Sequence, residues 1–169
     1  MRKLLLGVAA SALIATGAFA ADPVDMVQPT YSSAGFDWDG FYAGLGVSGG
    51  LYSSGTTIGT GDLILGANVT SGNMLFGAEG WIGGAINSLG ATAVHSGAEV
   101  RAGYLFTPEA LLYLSAGVDA FNFTTVLGSV GLGAEFAVTD NMSIDLEYKY
   151  VAGVGVNGNT LGASLNWHF

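Results

Sequence analysis

Few residues of this sequence can do chemistry, and most of those are carboxylates. The 169-residue chain has 13 Asp and Glu, 4 Lys and Arg, 2 His and no Cys, for a formal charge of −9. Without cysteine there is no disulfide or thiolate–metal framework, and two histidines do not predict a zinc site. Four cations do not form the basic patch that nucleic-acid binding needs. We therefore expect no nucleic-acid partner and no metal.

Three patterns match catalytic or cofactor motifs only superficially. Gly44-x-Gly46-x-x-Gly49 has the dinucleotide spacing but no helix after it. His95 and Glu99 would share a helix face, but on a strand they lie about 13 Å apart. No serine sits in a G-x-S-x-G nucleophile elbow. The sequence thus predicts no catalytic residue, no cofactor and no enzyme.

The first 20 residues read as a secretory signal peptide. Arg2 and Lys3 precede an apolar run over 4–15, and Ala18-Phe19-Ala20 supplies a small-x-small cleavage pattern. Cleavage after Ala20 removes two basic residues, so the formal charge of the rest becomes −11. Residues 21–37 follow as a Pro- and Asp-containing segment, predicted to be an extended periplasmic linker.

From residue 38 onward, apolar and polar residues alternate with period two, which predicts strands. In the last segment Leu161, Ala163 and Leu165 share one face with Trp167 and Phe169. Eight such segments are predicted at 40–50, 61–70, 74–86, 92–106, 111–122, 127–138, 142–152 and 160–169. Short and longer connections alternate between them, as in an up-and-down barrel with two unlike ends. We therefore predict an all-β fold, an eight-stranded antiparallel transmembrane β-barrel over residues 38–169.

The two strand faces differ in a way that indicates which one meets lipid. Only 10% of residues are charged, against about 25% in soluble domains, and mean hydropathy is +0.51. The polar face is mostly Gly, Ser and Ala, which suits a narrow interior. The apolar face carries no charge and is expected to face lipid. Aromatic residues near its ends are predicted to form interfacial girdles: Phe41, Phe76, Tyr104, Phe106, Tyr148, Tyr150, Trp167 and Phe169.

The charged residues of the polar face are expected to form an ion-pair network that plugs the lumen. Arg101 is expected to pair with Glu79 or Glu147, and Lys149 with Glu99, Glu135 or Asp119. Carboxylates outnumber cations in this set, so an open, weakly cation-selective path remains an alternative. The predicted network comprises Glu79, Glu99, Arg101, Asp119, Glu135, Asp145, Glu147 and Lys149.

Both ends of the predicted barrel resemble one family. Trp38-Asp39-Gly40-Phe41-Tyr42-Ala43-Gly44 resembles the opening strand of small alphaproteobacterial outer-membrane proteins. The closing residues, with Leu165, Trp167 and a terminal Phe169, resemble an outer-membrane assembly signal. The resemblance implies an OmpA-like barrel in the outer membrane of a Gram-negative cell. It implies as partners outer-membrane lipid and lipopolysaccharide, and the barrel-assembly machinery through the last strand. Some family members are immunogenic surface proteins or bind heme, but the connections here are very short.

Four functions remain open. The favoured one is a structural outer-membrane barrel supporting envelope integrity and surface presentation. The second is a narrow, weakly cation-selective porin-like channel. The interior of an eight-stranded barrel is normally filled by side chains, which argues against this function. An outer-membrane enzyme would need a catalytic cluster on extended rims. A soluble ligand-binding barrel would place the apolar face inside.

Overall fold

A computed structural model describes residues 35–169. The predicted signal peptide and most of the predicted linker lie outside these residues. The described chain forms eight strands: β1 (Gly40–Tyr52), β2 (Thr57–Ser71), β3 (Met74–Asn87), β4 (Thr92–Thr107), β5 (Ala110–Phe121), β6 (Thr125–Ala137), β7 (Met142–Gly153) and β8 (Val156–His168). Among residues 35–169, no helix is long and apolar enough to cross a membrane.

The strands form one closed antiparallel barrel, in which each strand pairs with its sequence neighbours and β1 pairs with β8. The predicted fold class is therefore confirmed. Following paired residues once around the barrel from Gly40 leads back to β1 at Gly50, a shear of ten residues. With strands about 4.8 Å apart, this shear corresponds to a tilt of about 40°.

Most connections are shorter than the sequence pattern predicts. At the end that carries Gly40 and Phe169, here the termini end, the turns are residues 72–73, 108–109 and 138–141. At the opposite end, here the far end, they are residues 53–56, 88–91, 122–124 and 154–155. The prediction that one end has longer connections is wrong. Glycine, Ser and Thr near the far end continue the strands because backbone pairing there does not need apolar side chains.

Large interior side chains fit because glycines lie opposite them. The Tyr42 ring of β1 covers Gly66 of β2, and the Tyr113 ring of β5 covers Gly133 of β6. A Cβ atom at either glycine would overlap the facing ring. The narrow lumen is thus filled by aromatic rings packed directly on neighbouring backbone.

The outer surface is a continuous apolar belt. Leu132 and Leu165, which a soluble ligand-binding barrel would bury, are exposed on it. From Phe41 to Leu51, both exposed on β1, ten residues at this tilt rise about 25 Å, the height of the apolar band of outer-membrane barrels. The exposed face therefore matches hydrocarbon rather than water.

Candidate functional site in the barrel lumen

Arg101 of β4 crosses the middle of the lumen. Its Nη1 atom donates to Glu135 Oε2 at 3.0 Å and lies 3.6 Å from Asp145 Oδ2. Its Nη2 and Nε atoms donate to Asn68 Oδ1 at 3.0 and 3.2 Å. The guanidinium carbon lies 4.9 Å from the centre of the Tyr42 ring. One cation thus ties β4 to β2, β6 and β7, with its side chain fully buried.

The carboxylates around Arg101 have further donors. Glu135 is 0% exposed and accepts hydrogen bonds from Asn166 Nδ2, at 3.1 Å, and from the Ser143 hydroxyl. Tyr113 donates to Asp145 at 2.7 Å. These contacts satisfy charges that would be very costly to bury alone.

Lys149 of β7 forms a second cluster nearer the far end. Its Nζ atom lies 2.5 Å from Glu99 Oε2 and 3.0 Å from Glu147 Oε2. The same atom sits 4.2 Å from the centre of the Trp81 ring, a cation–π contact. Ser115 donates to Glu147 at 2.5 Å. The two cations therefore occupy separate levels of the lumen.

A third polar cluster lies closest to the far end. His95 Nδ1 is 2.9 Å from Asp62 Oδ1, and Nε2 is 3.4 Å from Asp119 Oδ1. The imidazole also stacks on Phe121, with ring centres 5.0 Å apart. Because each ring nitrogen faces a carboxylate, the imidazole links β2, β4 and β5, and we call it the His95 clamp.

An aromatic cluster closes the termini end. Phe36 and Trp38 are buried with Leu75 and Leu111, and Trp38 Nε1 donates to the Pro108 carbonyl at 2.8 Å. Phe36 belongs to the predicted linker 21–37, yet its side chain packs inside the barrel mouth. We call Phe36 and Trp38 the cork.

His168 joins the cork to the polar lumen. Its ring lies 4.7 Å from the Phe36 ring and stacks on Tyr42 at 5.1 Å. Its Nε2 atom is 3.0 Å from Ser143 Oγ, but this pair is not a nucleophile and base. Glu135 approaches that same nitrogen, at 3.5 Å, rather than the opposite one. Ser143 is 0% exposed, so no substrate reaches its hydroxyl.

The remaining space is small. A cavity of about 90 Å³ runs along the Lys149 and His95 clusters and reaches Tyr113 and Asp145 beside Arg101, enough for a few water molecules. Within residues 35–169, no group of three or more His, Cys, Asp or Glu side chains has the geometry of a metal site.

All eight residues of the predicted network point into the lumen, but the pairing differs from the prediction. Lys149 contacts Glu99 as expected, whereas Arg101 contacts Glu135 instead of Glu79 or Glu147. Glu79 instead accepts a hydrogen bond from Tyr42 at 2.6 Å. Strand stagger causes the difference, because a shear of ten shifts the levels that simple counting along each strand assigns.

Several lumen residues were missing from the predicted network. Period two already placed His95 and Asn166 on the polar face, but the predicted network was limited to Asp, Glu, Lys and Arg, and Asp62 was counted with the connections instead. No alternation pointed to Phe36 of the cork, because this residue precedes the first alternating segment. The additional residues are Phe36, Trp38, Tyr42, Asp62, Asn68, His95, Tyr113, Ser143, Asn166 and His168.

All eight predicted girdle residues are exposed on the outer surface. Six lie near the termini end, among them Trp167 and Phe169 of the predicted assembly signal, where Leu165 is exposed as well. Tyr148 and Tyr150 lie inside β7 rather than at its end, and Tyr148 donates to Asn159 at 2.6 Å. At the far end the exposed aromatic residue is Phe123.

No protein-family model and no curated protein matches the sequence. Solved structures do. The chain is similar to Neisserial surface protein A, with 19% identity and a TM-score of 0.55 over 78% of this chain and 98% of that one. It is also similar to the outer-membrane enzyme PagL, with 11% identity and a TM-score of 0.51 over 72% and 97%.

These likenesses show the fold of eight-stranded outer-membrane barrels. The uncharged apolar belt independently supplies the surface that such a barrel presents to lipid. Closure pairs the backbone groups of every strand, as hydrocarbon requires. The protein is thus a transmembrane β-barrel of the outer-membrane type.

Proposed function

We propose that the protein is a structural outer-membrane barrel with a closed lumen, supporting envelope integrity and exposing little beyond the membrane surface. The observation that carries this proposal is Arg101, whose buried guanidinium spans the lumen between Asn68 and Glu135. The cork, the Lys149 cluster and the His95 clamp close the lumen above and below it. A transport path would have to break all four layers.

Single-channel recording tests the closed lumen. Purified barrel in planar phosphatidylcholine bilayers should give negligible conductance. Large, steady channels would reject the proposal. Heat-modifiable mobility in SDS gels, measured on the same preparation, ensures that the recorded protein is a folded barrel.

The second candidate is a narrow, weakly cation-selective channel. It is favoured by the inward-facing carboxylates Asp62, Glu79, Glu99, Asp119, Glu135, Asp145 and Glu147, which outnumber Arg101 and Lys149. For a gated path, the double variant Arg101→Met/Lys149→Met should raise cation leak, while Val130→Ala on the outer face should not. If the folded double variant shows an unchanged cation leak, Arg101 and Lys149 do not gate a path through the lumen.

We propose no catalytic role. PagL is described as an enzyme, but at 11% identity the likeness reaches the fold alone. The described residues carry no exposed Ser–His–acid arrangement.

The partners implied by resemblance belong to the same proposal. Lipopolysaccharide would contact the belt, and the assembly machinery would recognise the strand ending in Trp167 and Phe169. Heme binding has little support, since His95 and His168 are both buried with carboxylate neighbours. Alphaproteobacterial origin rests on the opening motif.

A further inference from the structure

The two ends of the barrel differ in charge. The four far-end turns, residues 53–56, 88–91, 122–124 and 154–155, contain no Asp, Glu, Lys, Arg or His. The termini end carries Asp37, Asp39, Glu109 and Asp140. Charged residues are common in turns that face water, so the far end lacks a feature that the termini end has, although its turns contain Ser, Thr and Asn.

Three of the far-end turns expose an apolar side chain at the tip. Leu89 is 85% exposed, Phe123 67% and Val154 105%. Phe123 has a φ of 56°, a conformation that bulky residues rarely adopt. The backbone thus holds an aromatic ring outward although nothing in residues 35–169 covers it.

The backbone amides of the turn at residues 88–91 donate within the chain. In residues 88–91, the Leu89 and Ala91 amides donate to Asn87 Oδ1 at 3.0 and 2.9 Å. The Gly90 amide donates to the Asn87 carbonyl and the Ser88 amide to the Thr57 carbonyl, both at 2.9 Å. All four amides of this turn therefore have partners within the chain.

In the neighbouring turn, at residues 122–124, the amides of Asn122 and Thr124 donate within the chain. The Asn122 amide donates to the Val94 carbonyl at 2.8 Å, and Asn122 Oδ1 accepts from the Val94 amide at 2.9 Å. Amides already paired within the chain can enter the edge of the hydrocarbon layer without losing a hydrogen bond to water.

We propose that the far-end turns lie within the lipid layer, with Leu89, Phe123 and Val154 inserted at the boundary between headgroups and acyl chains. This inference rests on the proposed membrane-spanning barrel. The tips lie only a few residues beyond Leu51 and Ile86, where the exposed apolar belt ends, so tips and belt form one continuous surface. The occupant of this surface is lipid rather than a protein receptor.

Depth-dependent quenching tests the proposal, and the absence of cysteine allows single-cysteine labelling. Leu89→Cys and Phe123→Cys, labelled with the fluorophore NBD, are placed in phosphatidylcholine vesicles. Val130→Cys on the belt and Glu109→Cys at the termini end are the matched controls. The tip probes should lose fluorescence with lipids brominated near the carbonyl group and resist aqueous iodide. The Glu109 probe should be quenched by iodide, added on the side of the vesicle that this probe faces. It should not lose fluorescence with the brominated lipids.

The outcomes separate the two proposals. If the Val130 probe is not quenched by lipids brominated deep in the chain, the membrane-spanning barrel itself fails. If the Val130 probe is quenched but the tip probes respond to iodide alone, the barrel stands and lipid insertion of the turns is wrong. Tip probes shielded from both quenchers would indicate a second copy of the chain and would also overturn the proposal.

Discussion

Arg101 is the residue on which the closed lumen depends most. Arg101→Met keeps the length of the side chain but leaves Glu135 without a cation in a buried site. Removing one partner of a buried pair costs about 3–5 kcal/mol. We expect the free energy of unfolding in detergent micelles to fall by that order, measured by urea titration of tryptophan fluorescence.

The double variant Arg101→Met/Glu135→Gln is the matched control, because it removes both charges and keeps the hydrogen bonds from Asn166 and Ser143. It should recover much of the lost stability. Equal losses in the single and double variants would mean that the ion pair contributes nothing beyond packing.

A second prediction at this scale compares a glycine that faces the lumen, Gly66, with one on the outer face, Gly84. A Cβ atom added at Gly66 would overlap the Tyr42 ring, whereas one added at Gly84 would meet no atom within 4 Å. Gly66→Ala should therefore destabilise the barrel by about 1–3 kcal/mol, as overpacking does, and Gly84→Ala should change little. Urea midpoints of the two variants check this, and equal midpoints would contradict the fit of ring on backbone.

The cork belongs to the scale of elements. Residues 35–39 precede β1, and Asp39 anchors them by accepting hydrogen bonds from the Thr70 amide at 2.5 Å and the Thr70 hydroxyl at 2.6 Å. This short segment therefore acts as part of the barrel rather than as a free linker.

Replacing the cork tests that role. Trp38→Ala removes a side chain that is 3% exposed and should cost about 3–5 kcal/mol of unfolding free energy. Trp167→Ala removes the same side chain type from the outer surface, where it is 51% exposed. In micelles it should cost clearly less, as urea titration can show. A larger loss for Trp167 would argue against a sealed termini end.

The sequence predicts the strands and their faces well, but it does not predict the strand ends or the pairs across the lumen. Alternation around Leu161 to Phe169 or Val130 to Val138 specifies strand and face, because a side-chain period of two has no other regular solution. Eight such segments fix the barrel. Strand ends were predicted wrongly where the apolar pattern breaks, as at Gly59 and Thr60. Pairs across the lumen, such as Arg101–Glu135, depend on the shear of the closed barrel, which the sequence of a single strand does not encode.

At the scale of the whole molecule, orientation is the claim most open to test. Leu132 lies near mid-height of the belt, and Leu132→Arg should cost about 2–4 kcal/mol of folding free energy in phosphatidylcholine vesicles. Thr57→Arg, at the start of β2 beside the far end, should cost about 0–1 kcal/mol. The two are compared by reversible urea unfolding in vesicles, and no difference would contradict lipid contact at Leu132.

The pairing of β1 with β8 sets the order in which the barrel can assemble. Every other pairing is a hairpin between neighbours, while this seam joins Tyr42 to His168. It forms only after the last strand has been synthesised, and until then both outer strands expose rows of unmatched amides and carbonyls. A chain truncated before Val156 would keep these unpaired strand edges, so it could not insert stably into the hydrocarbon layer. It would remain a substrate for chaperones and proteases.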